Sequence, residues 1–138
     1  MRPPTEELAT SANACNTGCT AAELGKTEKA AKLFRLAVKL DPQCVQARCN
    51  LAEIELQRGR LRQALKIARQ ALVLAPDNTE VNYVLARTLL ANGFRFAAIG
   101  PLTIFVNEHD VCDERYDFPT AVHMLLQLRS ETVREGER

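Results

Sequence analysis

Compared with itself at fixed offsets, the chain shows a run of matches at one constant spacing, a 34-residue period. Gly25, Gly59 and Gly93 are related in this way, as are Ala30, Ala64 and Ala98, and Val38, Leu72 and Val106. Leu40-Asp41-Pro42 returns as Leu74-Ala75-Pro76, and Leu51-Ala52 as Leu85-Ala86, with Gly18 at the matching small position upstream. Three copies follow, at about 11–44, 45–78 and 79–112. A unit this short cannot bury its apolar face alone and must stack on its neighbours. That excludes most folds before any single residue is interpreted.

Each copy reads as two helices around a turn. In the second, Val45 to Arg58 holds neither Gly nor Pro, and Gly59 follows where a helix commonly ends. Leu61, Ala64, Leu65, Ala68, Ala71 and Leu72 then recur at three-to-four spacing, giving one apolar face. Pro76 stops that helix, because proline lacks the backbone donor and clashes with the preceding turn. The alanines allow close approach of the paired helices. The third copy departs from the pattern, with Gly100-Pro101 inside its second helix, and the expectation there is a kinked or restarted helix. Beyond it, an acidic loop at 107–117 leads to a capping helix at about 118–134, striped with Ala121, Met124, Leu125 and Leu128. Thr5 to Leu24 reads as one long helix opening the chain.

The 34-residue helical pair, with its small residue, Gly, Ala and closing-Pro pattern, resembles the tetratricopeptide repeat over about 100 of the 138 residues. The resemblance implies an all-α fold: a short right-handed α-solenoid of three repeats with a C-terminal capping helix, forming a single domain. It also implies that the first helix of each pair lines a concave groove that binds a partner peptide or helix. Carried over position by position, the groove comprises Asn16 from the first copy. The second contributes Gln46, Asn50, Glu53 and Leu56, and the third Tyr83, Val84, Arg87 and Leu90. Asn16 and Asn50 occupy equivalent positions and are candidates to hydrogen-bond a peptide backbone. Some members of the family clamp the C-terminal carboxylate of heat-shock chaperones with Lys, Asn and Arg. The corresponding residues here are Cys15, Cys19, Asn50, Glu80 and Val84, of which only Asn50 matches, so that role is rejected.

Composition narrows the function further. The net charge of +1 combines +5 on residues 1–69 with −4 on residues 70–138. Neither half has the basic excess of a nucleic-acid binder, and seven aromatics without Trp offer little stacking surface. No apolar run is long enough to span a membrane, and the N-terminus lacks a signal-peptide core, so a cytoplasmic protein is expected. No phosphate loop, dinucleotide motif, zinc-protease motif or nucleophile elbow is present, so no enzyme and no cofactor are expected.

The leading function is therefore a non-enzymatic protein-interaction module acting as adaptor, assembly factor or chaperone. A sharper form is a type III secretion chaperone shielding an apolar segment of a secreted subunit, with which it shares size and a partly apolar groove. An alternative of another class uses thiols. Cys15 and Cys19 share a helix face and Cys49 is equivalent to Cys15 one repeat on, so three thiols meeting in the groove would make a soft-metal or redox site. The spacing lacks the paired CxxC of a strong zinc site, and small buried fillers are the favoured reading. Self-association through the terminal repeats is a further expectation.

Overall fold

The computed structural model describes residues 4–109, 113 and 115–136, with side chains from Thr10 onward. Seven α-helices follow in order: α1 Pro4–Glu23, α2 Thr27–Leu40, α3 Val45–Gln57, α4 Leu61–Leu74, α5 Thr79–Ala91, α6 Ile99–Glu108 and α7 Phe118–Gly136. A 3-10 turn, Phe96–Ala98, precedes α6. No strand occurs among the described residues, and none of their helices is long and apolar enough to cross a membrane.

The helix ends follow from the repeated glycines. Gly25, Gly59 and Gly93 have φ of 77°, 77° and 84°, a left-handed conformation that a side chain would strain. At Gly59 the Gly59 N–H donates to Leu56 and the Arg60 N–H to Glu55, which satisfies carbonyls the helix leaves open. The same two bonds recur at Gly25 and at Gly93. At the other end of each pair the proline carbonyl needs a donor. Arg48 Nε and Nη2 reach Pro42, and one period later Asn82 Nδ2 reaches Pro76 at 2.9 Å. Two different side chains thus perform one job at equivalent positions.

Helices stack pairwise along the chain, each on the next, while α1 also touches α3 and α3 touches α5. α1, α3 and α5 are therefore drawn together on an inner, concave face and α2 and α4 lie outside. One apolar core runs through the stack from Ala14 to Leu128. Small residues set the spacing. A Cβ on Gly18 would lie 2.6 Å from Phe34 Cε1, so the ring packs only because Gly18 has none. In the second copy the equivalents of this pair are Ala52 and Ala68, both buried, so volume moves from one partner to the other.

In the third copy the second helix restarts. Gly100 and Pro101 fall in the first turn of α6, where a missing N–H breaks no helical bond, and the 3-10 turn takes up the offset. α6 is consequently ten residues against fourteen for α2 and α4. Of the loop that follows, Asp110, Val111, Cys112 and Glu114 lie outside the described residues. Asp117 opens α7: its Oδ1 accepts the Thr120 N–H at 3.2 Å and its Oδ2 the Thr120 hydroxyl at 2.6 Å. Ala121, Leu125 and Leu128 then close the core against α6.

Candidate peptide-binding groove

Stacking places each residue of one inner helix beside its repeat equivalent on the next, so polar side chains in the same row bond sideways. Gln46 Nε2 donates to Glu80 Oε1 at 3.0 Å, and to Asn50 Oδ1, one turn along α3, at 3.0 Å. The Glu53 carboxylate pairs with the Arg87 guanidinium about two turns further along the helices. Asn50 Nδ2 points toward α1 and donates to Cys19 Sγ at 3.4 Å and Cys15 Sγ at 3.5 Å. Burial pushes the Glu53 carboxyl above its usual range, and Arg87 opposes that shift.

Toward the C-terminal end the groove turns aromatic. Tyr83 lies 4.7 Å from Phe105 and 4.8 Å, edge-on, from Tyr116. Arg87 sits 5.7 Å over the Tyr83 ring and Arg115 5.6 Å over that of Tyr116. Burial raises both phenols above their ordinary range. Asp113 holds Arg115 with bonds of 2.6 and 2.9 Å, and that contact keeps the Asp113 carboxyl well below the usual range. His109, stacked 4.6 Å from Phe105, contacts Thr79 Oγ1 at 3.2 Å.

Two adjoining cavities open onto this face. The first, of about 350 Å³, is lined by Gln46, Asn50, Glu53, Glu80, Tyr83, Val84, Arg87, Arg115 and Tyr116. The second, of about 490 Å³, lies between α5 and α7 and is lined by Tyr83, Arg87, Leu90, Leu102, Arg115, Asp117, Thr120, Ala121 and Met124. Tyr83, Arg87 and Arg115 border both.

The expected groove residues separate on this geometry. Gln46, Asn50, Glu53, Tyr83, Val84 and Arg87 line the first cavity, and Leu90 the second. Val84 is only 3% exposed and forms floor rather than wall. Leu56 is half-buried and lines neither cavity. The two asparagines are not alike: Asn16 is exposed, while Asn50 is committed to the α1 thiols and Gln46.

The thiols of the alternative reading are engaged or buried rather than open to the groove. Asn50 faces α1 and holds both of its thiols, and Cys49, the residue before it on α3, is buried. Cys49 is 1% exposed and its thiol is pushed up to about 12, first by burial and then by Glu80 and Glu53. Cys15 is buried too and raised by burial, with Cys19 next. Among the described residues no group of three or more His, Cys, Asp or Glu is arranged to hold a metal ion.

Sequence reasoning missed the contribution of α7. Asp117, Thr120, Ala121 and Met124 stand one full period after Tyr83, Ala86, Arg87 and Leu90. The period therefore continues into the capping helix as a fourth inner helix, and applying it once more would have found these positions.

The family profile described as "Tetratricopeptide repeat" matches residues 15–79 and again 51–94, together more than half of the chain. The protein belongs to the tetratricopeptide repeat family. Solved structures agree on the fold. The first tetratricopeptide domain of Spaghetti (RPAP3), bound to an HSP90 peptide, superposes with a TM-score of 0.78 at 14% identity, covering 91% of this chain and 98% of that one. The Arabidopsis OM64 tetratricopeptide domain gives 0.76 at 18%, covering 91% and 98%. The Yersinia enterocolitica type III secretion chaperone SycD, in complex with a peptide of the translocator YopD, gives 0.75 at 18%, covering 87% and 92%. A search of curated proteins returns no significant match.

Proposed function

We propose that the protein is a non-enzymatic interaction module whose concave groove holds a segment of a partner protein, as an adaptor, assembly factor or chaperone. The observation that carries this reading is the pair of joined cavities on the inner faces of α3, α5 and α7. Backbone-compatible donors and acceptors (Gln46, Asn50, Glu80) lie at one end and a recess of Tyr83, Leu90, Leu102 and Met124 at the other. A bound segment lays its peptide groups along the first cavity and sends one large apolar side chain into the second. Arg87 and Arg115 at the shared border are paired with Glu53 and Asp113, so an acceptor beside that side chain shares or displaces those carboxylates.

A free C-terminal carboxylate is not the proposed ligand at the upper end. Glu80 lies there, bonded to Gln46, and repels an anion. The likeness to the domain holding an HSP90 peptide is therefore taken as one of fold. The apolar recess supports the chaperone form of the reading, since SycD is a chaperone crystallised with a translocator peptide. We take the compartment to be the cytoplasm, where thiols such as Cys15, Cys19, Cys44 and Cys49 stay reduced.

The test is capture from native lysate with mass-spectrometric identification. Wild type is run beside the double variant Gln46→Ser, Arg87→Ser, which removes groove side chains without opening the core, its fold checked by circular dichroism. A partner retained by wild type and lost by the variant is the expected result. Partners kept equally by both would move binding off the concave face.

A further inference from the structure

The repeat supplies its own control for the outer face. On α2 two of the four outward cations have partners, Lys32 with Glu28 at 3.7 Å and Arg35 with Glu55 at 3.3 Å, while Lys29 and Lys39 have no ion pair among the described residues. One period later, on α4, the equivalents of Glu28, Lys32 and Arg35 are Arg62, Lys66 and Arg69. None of the three has an ion pair among the described residues. Together with Val73 they form one stripe at helical spacing along the outside of α4.

This stripe borders a recess of about 690 Å³ between α4 and the turn after α5, with Leu65 at its floor and Phe94 on its far wall. Among the described residues no acidic side chain lines it. Two of its apolar side chains are unusually open to solvent, Val73 at 82% and Phe94 at 51%. Phe94 occupies the place held by Lys26 and Arg60 after the earlier turn glycines, so the aromatic is particular to this position. Asn92 fixes the far wall to α4 by donating to the Leu61 carbonyl at 2.8 Å.

We infer that this recess is a second docking site, distinct from the concave groove, for an acidic protein segment that carries a large apolar side chain. The apolar side chain enters between Val73 and Phe94, and flanking carboxylates meet Arg62, Lys66 and Arg69. The two demands together define the occupant. Three cations without an ion pair call for an anion, and the apolar surface of Leu65, Val73 and Phe94 calls for a side chain that a phosphate chain or a flat lipid surface does not offer. A protein with both sites bridges two partners, one on each face of the solenoid.

The experiment selects from a displayed library of random peptides about four helical turns long. The bait is the Gln46→Ser, Arg87→Ser variant, so that clones report on faces other than the groove. Enriched clones are then screened against the same bait carrying Arg62→Gln, Lys66→Gln and Arg69→Gln, all at exposed positions. The expected survivors place several Asp or Glu around a Leu, Ile or Phe and fail on the charge-neutral bait. Their synthetic peptides weaken at least about tenfold with Phe94→Ala, and again on raising the salt. Failure to enrich any clone, enriched sequences without acidic residues, or clones that bind both baits equally would overturn the site. Tighter binding of a short single-stranded DNA, lost with the same three cations, would overturn it in favour of nucleic acid. The bait leaves the groove reading untouched, so the two stand or fall separately.

Discussion

Glu55 shows how much one side chain can depart from its repeat. Its equivalents are Ala21 and Leu89, both buried and apolar, yet Glu55 is acidic and 0% exposed. Arg58 meets its Oε1 at 2.9 Å and Arg35 at 3.3 Å, while Arg60 lies 3.8 Å from Oε2, an atom with no hydrogen bond. Removing one side of a buried ion pair costs more than replacing it with well-packed apolar atoms. Glu55→Ala is therefore expected to lose about 3 kcal/mol in urea unfolding, and Glu55→Leu less, since Leu refills the volume and Arg35 and Arg60 can turn to water, although Arg58 at 16% exposed loses its partner in both. Leu doing worse than Ala would contradict this. Cys49 makes a pH-dependent contribution. Its thiol stays neutral when folded, at about 12 against an ordinary 9.0, and ionises earlier when unfolded. The stabilisation is thus complete below pH 9 and is lost as pH rises toward 12, at about 1.4 kcal/mol per pH unit. Unfolding curves above pH 9 should fall more steeply for wild type than for Cys49→Ala, and parallel curves would sink the assignment. Gly18→Ala, driving a methyl into Phe34, should cost about 1–3 kcal/mol in the same assay.

At the scale of elements, the ends of the helices were the most legible part of the sequence. A glycine with positive φ and a closing proline are local requirements, visible without knowing what packs where. The restart of α6 was legible for the same reason, since Gly100-Pro101 cannot sit in mid-helix unnoticed. What went unread was the part α7 plays in the groove, because its hydrophobic stripe taken alone reads equally as a lid or as a fourth inner helix, and the period was not carried past the third copy. Only the placement of Thr120 and Met124 beside Leu90 distinguishes them. The hold on α7 is local as well: Asp117 caps its first turn through Thr120. Asp117→Ala should cost about 1 kcal/mol. The loss should show as faster amide exchange in α7, with α3 and α4 unchanged. Uniform loss of protection across all helices would mean that α7 is not a separable unit.

For the whole molecule, the fold was legible because a short fixed period leaves few ways to bury each face. The groove was legible only in outline, since the repeat tells which helix faces inward but not which polar side chains are already engaged. By register Asn50 is the equivalent of Asn16, yet Asn16 is exposed while Asn50 is bonded to Cys15 and Cys19. On the proposed reading, a segment bound in the groove displaces bonds such as Gln46–Glu80 and Glu53–Arg87 and has to replace them. Chemical-shift mapping of the isotope-labelled protein, titrated with the segment identified by capture, tests this most directly. The expected result is that the side-chain resonances of Gln46, Asn50 and Arg87 move together with backbone signals of α3, α5 and the start of α7. Shifts confined to the outer faces of α2 and α4, with those three side chains still, would contradict the concave groove as the binding site.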